Sequence, residues 1–91
     1  MPLYMMLCTD KPGAIETRKA TREAHLAYVA ETGCVSLAGP LLDDAGEMAG
    51  SLIVLDLPDI AAAKDWGAND PYARAGLFES VRLQEWKKVI G

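Results

Sequence analysis

Leu3-Tyr4-Met5-Met6-Leu7-Cys8 carries no charge, proline or glycine; it is followed by Thr9-Asp10-Lys11-Pro12-Gly13, and then neither proline nor glycine occurs from Ala14 to Glu31. A short, continuous apolar run closed by turn residues reads as a strand buried on both faces. The Ala-, Glu- and Arg-rich stretch after it reads as a helix, with Gly33 in the position of a C-terminal stop. The chain therefore opens strand–turn–helix.

Working outward, Cys34 to Leu42 holds Val35, Leu37 and Leu41, and Asp43-Asp44-Ala45-Gly46 offers turn chemistry before the run Leu52-Ile53-Val54-Leu55. This pattern predicts a β-hairpin. Pro58-Asp59 ends the second hairpin strand and supplies a helix N-cap ahead of Ile60 to Trp66. Asn69-Asp70-Pro71 is a further turn with a helix start, and Gly76 separates it from a last strand over Leu77 to Trp86, where Val81 and Leu83 alternate with charged residues. The order β-α-β-β-α-β is the ferredoxin-like split βαβ arrangement, an α+β fold with a four-stranded antiparallel sheet and two helices on one face. Two helices cannot also cover the other face, so the apolar runs in the first and third strands predict a homodimer whose sheets face each other.

Composition narrows the function classes. Ninety-one residues make one domain, over 1–91, that buries about three-fifths of its unfolded surface. Thirteen acidic residues against nine basic ones, a net charge of −4, argue against nucleic acid as a partner. No apolar run approaches the roughly 20 residues of a membrane helix, and no basic segment of a leader precedes Leu3. Cys8 and Cys34 lack CxxC spacing and fit a reducing cytoplasm. With His25 the only histidine, a metal site of imidazole or Cys/His type is not expected. There is no glycine-rich phosphate loop or nucleophile elbow, so no cofactor is expected either.

Helical geometry, about 100° per residue, places Ile15, Arg22, Leu26 and Val29 in one stripe with His25 and Ala30 at its margins. A guanidinium embedded there costs on the order of several kcal/mol unless it meets an anion, so Arg22 either faces a carboxylate or anionic ligand or snorkels its head into water. His25 is equally a hydrogen-bonded structural residue or a proton-transfer group, imidazole being the side chain whose charge changes near neutrality. Asp70 before Pro71 has a sufficient role as an N-cap. Tyr72 could be a half-buried aromatic, and Gly39-Pro40 and Gly50-Ser51 could simply end and begin hairpin strands.

Taken together, Arg22-Glu23-Ala24-His25-Leu26, Ala38-Gly39-Pro40, Gly50-Ser51, Asn69-Asp70-Pro71-Tyr72-Ala73-Arg74-Ala75-Gly76 and Trp86-Lys87-Lys88-Val89 resemble the YCII-related domain family of YciI-like proteins over nearly the whole chain. The resemblance implies a ferredoxin-like dimeric α+β barrel in which His25 and Asp70 match the family's active pair. Related chains include a dehydrochlorinase acting on a chlorinated aromatic diol. On this basis His25 would act as acid/base and Asp70 would hold its ring. Arg22, Gly39, Pro40, Ser51 and Tyr72 would contact a small polar or anionic substrate, with no cofactor and no metal. The activity implied is a cofactor-independent lyase or isomerase, dehydrochlorinase-like chemistry included; the alternative is a non-catalytic dimeric module that binds a small metabolite or a protein partner.

Overall fold

The computed structural model describes residues 2–91; Met1, the first residue of the domain expected over 1–91, lies outside the described residues. Seven elements follow in order: β1 (Leu3–Asp10), α1 (Ile15–Thr32), β2 (Val35–Leu42), β3 (Met48–Asp56), α2 (Ile60–Asn69), α3 (Pro71–Arg74) and β4 (Phe78–Trp86). They form one antiparallel sheet of strand order β2-β3-β1-β4 with the helices on one face, a ferredoxin-like α+β fold. The punctuation works as its chemistry requires. Gly33 takes the left-handed conformation, φ 63°, and its N–H donates to the Val29 carbonyl, ending α1. Asp59 caps α2 by accepting from the Ala62 N–H, and Asp43 closes the hairpin by accepting from Ala45 and Glu47.

Strand alternation decides what the helices cover. Tyr4, Met6 and Cys8 of β1 lie opposite Leu55, Ile53 and Ser51 of β3, and all six are buried beneath the helices. Leu3, Met5, Leu7 and Leu52 alternate with them and are only half-buried on the other face. The two-sided burial expected of the first strand is thus one-sided within a single chain. Beside them, Leu37 and Trp86 are 51% and 41% exposed. Trp66 of α2 locks the helices together: its indole N–H donates to Thr32 Oγ1 and its carbonyl accepts from the Tyr28 hydroxyl, both from α1.

The packed face of α1 differs from the expected stripe. Arg18 and His25 are its buried residues, flanked by half-buried Tyr28 and Val29, whereas Arg22 and Leu26 are exposed at the edge facing β2. The apolar residues mispointed the stripe because α1 meets polar groups on the sheet, Asp10 and Ser51, as well as apolar ones. The buried guanidinium is that of Arg18, and Arg22 is exposed.

Candidate active site

Seven residues separate Arg18 from His25, two turns of α1, so both side chains project from one face toward the sheet. Under that face, Ser51 and Ile53 of β3 lie opposite Pro40 and Ala38 of β2. Gly39, between them, contributes main chain alone. Proline is tolerated here because β2 is an edge strand. Together with Tyr72 from α3 and with Arg22, Leu26 and Met48 at the sides, these residues line a half-open cavity of about 220 Å³. Its walls are divided in character: Arg18, Arg22, His25, Ser51 and Tyr72 form a polar part, and Leu26, Ala38, Met48 and Ile53 an apolar one.

Asp70 stands behind the histidine. It is fully buried, and its Oδ1 accepts from His25 Nδ1 at 2.8 Å and from the Tyr72 main-chain N–H at 3.1 Å. A carboxylate only accepts, so Nδ1 carries the hydrogen and Nε2 is the nitrogen left for the cavity. The cap role and the histidine contact, two separate readings of Asp70 in the sequence, are made by the same atom. Its Oδ2 is buried without a hydrogen-bond partner among the described residues. Tyr72 returns over the imidazole, ring centroids 4.1 Å apart and planes within 16°.

Beyond Tyr72 lies a second polar cluster. Arg18 Nε and Nη2 donate to the two oxygens of Asp10 at 2.7 and 2.9 Å, and Nη2 also donates to Ser51 Oγ at 2.9 Å. The guanidinium carbon lies 4.8 Å from the Tyr72 ring centroid. Burial opposes the Arg18 charge, but the hydrogen bonds and charge of Asp10, then Tyr72, more than offset it and hold its pKa above the ordinary value. Burial pushes the Tyr72 phenol up, against the opposing pull of Arg18 and Arg22, so the hydroxyl remains a donor near neutrality. Burial, reinforced by the charges of Asp70 and Asp10, likewise pushes the Cys8 thiol up to about 12 despite Arg18.

The structure thus brings His25, Arg22, Gly39, Pro40, Ser51 and Tyr72 to one cavity, with Asp70 behind it. Reasoning from sequence missed Arg18 and Asp10. The signal was the seven-residue spacing of Arg18 from the only histidine, together with an acid at the end of β1 that the following turn carries back toward the helix. Among the described residues no group of three or more His, Cys, Asp or Glu side chains could hold a metal ion, and no helix is long and apolar enough to cross a membrane.

The model of the YCII-related domain matches residues 2–87. The chain belongs to the YCII-related domain family. An uncharacterized protein of Haemophilus influenzae is 35% identical over 96 residues, covering 96% of this chain and 98% of that protein. Protein YciI of Escherichia coli is 33% identical over 97 residues, covering 97% and 99%. Among solved structures, this YCII-related chain is similar to 5-chloro-2-hydroxyhydroquinone dehydrochlorinase (TftG) of Burkholderia phenoliruptrix in complex with 2,5-dihydroxybenzoquinone, with a TM-score of 0.85, 28% identity and 93% of each chain covered. An antibiotic biosynthesis monooxygenase, TM-score 0.62 and 14% identity over 99% of this chain and 100% of that one, shares the fold.

Proposed function

We propose that the chain is a cofactor-independent enzyme that moves a proton on a small, flat, oxygenated substrate in a lyase- or isomerase-type reaction. The observation that carries this reading is the 2.8 Å contact between buried Asp70 and His25 at the wall of a half-open cavity. With Nδ1 held, Nε2 takes a proton from a C–H or O–H of the substrate. In an isomerisation, His25 returns that proton elsewhere on the same molecule. In an elimination, the electron pair of the broken C–H or O–H bond shifts into the substrate's π system, the leaving group departs with its own bonding pair, as in loss of chloride, and His25 passes the proton it took to solvent. Neither course consumes an oxidant or reductant.

The anion that develops is stabilised by what faces it. Arg22 has no carboxylate partner among the described residues and brings an unneutralised positive charge to the cavity mouth. The Tyr72 hydroxyl is an un-ionised donor. The Arg18 charge is already balanced by Asp10, leaving a net attraction for a monoanion. A volume of about 220 Å³ is below the usual range of drug-sized sites, roughly 300–1,000 Å³, and suits a single ring. The similarity to a dehydrochlorinase solved with a dihydroxybenzoquinone supports the same substrate class. A purely binding module would need no carboxylate behind the imidazole, so the His25–Asp70 contact favours the enzyme.

The functional unit in this reading is a homodimer in the cytoplasm. The sheet face away from the helices carries Leu3, Met5, Leu7, Leu37, Leu52 and Trp86, and a second copy's sheet is the partner of matching chemistry. Free Cys8 and Cys34 suit a reducing compartment. The test is a thermal-shift screen of small carboxylates, phenols and halogenated diols, followed by turnover of each stabilising compound by wild type and His25→Ala. The expected result is conversion by wild type that falls by about 10²- to 10⁴-fold in the variant. Equal rates in the two proteins, or a tight ligand that is never converted, would overturn the proposal.

A further inference from the structure

We propose that Arg18 is a positioning residue for His25, acting through Tyr72. The inference rests on the reading of His25 Nε2 as the proton-transfer atom. The bond at Cγ and the hydrogen bond at Nδ1 hold one edge of the imidazole but leave the ring free to rock about that edge, and the direction of Nε2 rocks with it. A second constraint is needed to set the plane, and Tyr72 supplies it by lying within 16° of parallel at 4.1 Å. Tyr72 must then be held in turn. Its main-chain N–H is anchored to Asp70 Oδ1. Its ring is packed by the Arg18 guanidinium, 4.8 Å from its centroid.

Arg18 is built to hold that place. It is 3% exposed, and three hydrogen bonds, two of them fork-on-fork to Asp10 and one to Ser51, tie the helix to the end of β1 and the interior of β3. Burying such a pair contributes little net stability, because desolvation offsets most of the attraction between the charges. Its distinctive product is a planar cation at a fixed height against an aromatic ring. Lysine would keep the charge but could not make the bidentate pair with Asp10 that fixes the cation beside Tyr72.

The sole histidine makes the test direct, since nitrogen-15 NMR of the full chain gives one imidazole pattern. In wild type, the carbon-bound ring protons of His25 should be shifted upfield by the Tyr72 ring current, and the nitrogen shifts should report the Nδ1–H tautomer. Tyr72→Phe should keep the upfield shift and Tyr72→Leu should abolish it. Arg18→Lys should lose a large part of it and mix the tautomers while the protein stays folded. Asp10→Asn, which loosens the fork without touching Arg18, should do the same in smaller measure and carries the test if Arg18→Lys fails to fold. With a substrate in hand, Arg18→Lys should lower kcat by up to about 10²-fold with KM little changed, the signature of misplacement by a fraction of an ångström to an ångström. A wild-type shift and tautomer in Arg18→Lys, or in Asp10→Asn where Arg18→Lys does not fold, would overturn the proposal. A clamp seen by NMR without any His25-dependent turnover would instead refute the enzymatic reading and leave the clamp standing.

Discussion

Replacing Asp70 by asparagine separates its two duties. The amide oxygen can occupy the Oδ1 position and still accept from His25 Nδ1 and the Tyr72 N–H, so the geometry survives and only the charge is lost. The new NH₂ falls where Oδ2 lies buried without a partner, and an unsatisfied buried donor costs about 1–3 kcal/mol. That cost is offset in part because a fully buried carboxylate is also removed. Asp70→Asn should therefore lose no more than about 2 kcal/mol of stability. Asp70→Ala loses the cap, about 1 kcal/mol, and leaves the His25 Nδ1–H unsatisfied, about 1–3 kcal/mol more. A loss near 3 kcal/mol lowers the melting temperature of a domain this size by roughly 12–24 °C. Rates should follow a different order. Without the carboxylate, the imidazolium formed on accepting a proton has no counter-charge, so Asp70→Asn should lose about 10²- to 10⁴-fold in turnover while remaining well folded. Calorimetry paired with turnover on a substrate from the thermal-shift screen reads both quantities. Wild-type turnover by Asp70→Asn would reduce Asp70 to a helix cap and refute the reasoning.

Three further outcomes follow from the packing. Cys8 ionises at about 12 in the folded chain against 9.0 for an ordinary thiol, so the folded state keeps a proton that the unfolded state gives up; this contribution is complete below pH 9 and is lost as pH rises toward 12. Denaturant melts at pH 8 and 10.5 should show wild type losing more stability than Cys8→Ala, and parallel losses would contradict the assignment. At Gly50 an added Cβ would run into the main-chain oxygen of Cys8 across the β1–β3 ladder, with the Leu41 side chain at 3.2 Å, so Gly50→Ala should cost roughly 1–3 kcal/mol by urea unfolding; no change would mean the strands separate freely there. Sedimentation should give twice 9.8 kDa for wild type and a monomer for Leu37→Glu, which places a charge on the open sheet face; a wild-type monomer at micromolar concentration would exclude the sheet-to-sheet dimer.

Much of the fold was legible because its signals are local. The turn at Pro12–Gly13, the stop at Gly33, the Asp43–Gly46 hairpin and the Asp59 cap each combine a residue type with the backbone shape it favours, and each lies where its chemistry is needed, although β1 runs on through Thr9 and Asp10, which the sequence places in the turn. Strand edges were less legible. The first hairpin strand was readable from Val35, Leu37 and Leu41, but its partner extends back from Leu52 to Met48 through Ala49, Gly50 and Ser51. Those small residues have weak strand preference, and they are held extended by pairing with β1 and β2 on either side. Gly50 belongs there for a reason invisible along the chain, the closeness of the Cys8 backbone.

The candidate site shows a different limit. His25 and Asp70 are 45 positions apart, and nothing local joins them; their pairing came from the likeness to the YCII-related family and not from spacing. Arg18 was hidden by a general assumption, that the buried stripe of a helix is where its apolar residues are. Ile15, Leu26 and Val29 point that stripe one way, toward Arg22. The sheet beneath offers Asp10 and Ser51, and a guanidinium that can satisfy three acceptors there is buried at less cost than one that meets none. The face of α1 was therefore set by polar complementarity at one end and by Tyr28 and Val29 at the other. Leu26 was left at the rim of the cavity, 46% exposed, where an apolar side chain serves a ligand better than it serves the core. A helix whose packed face holds an arginine and a histidine while a leucine faces solvent departs from local rules in the direction expected of a functional site.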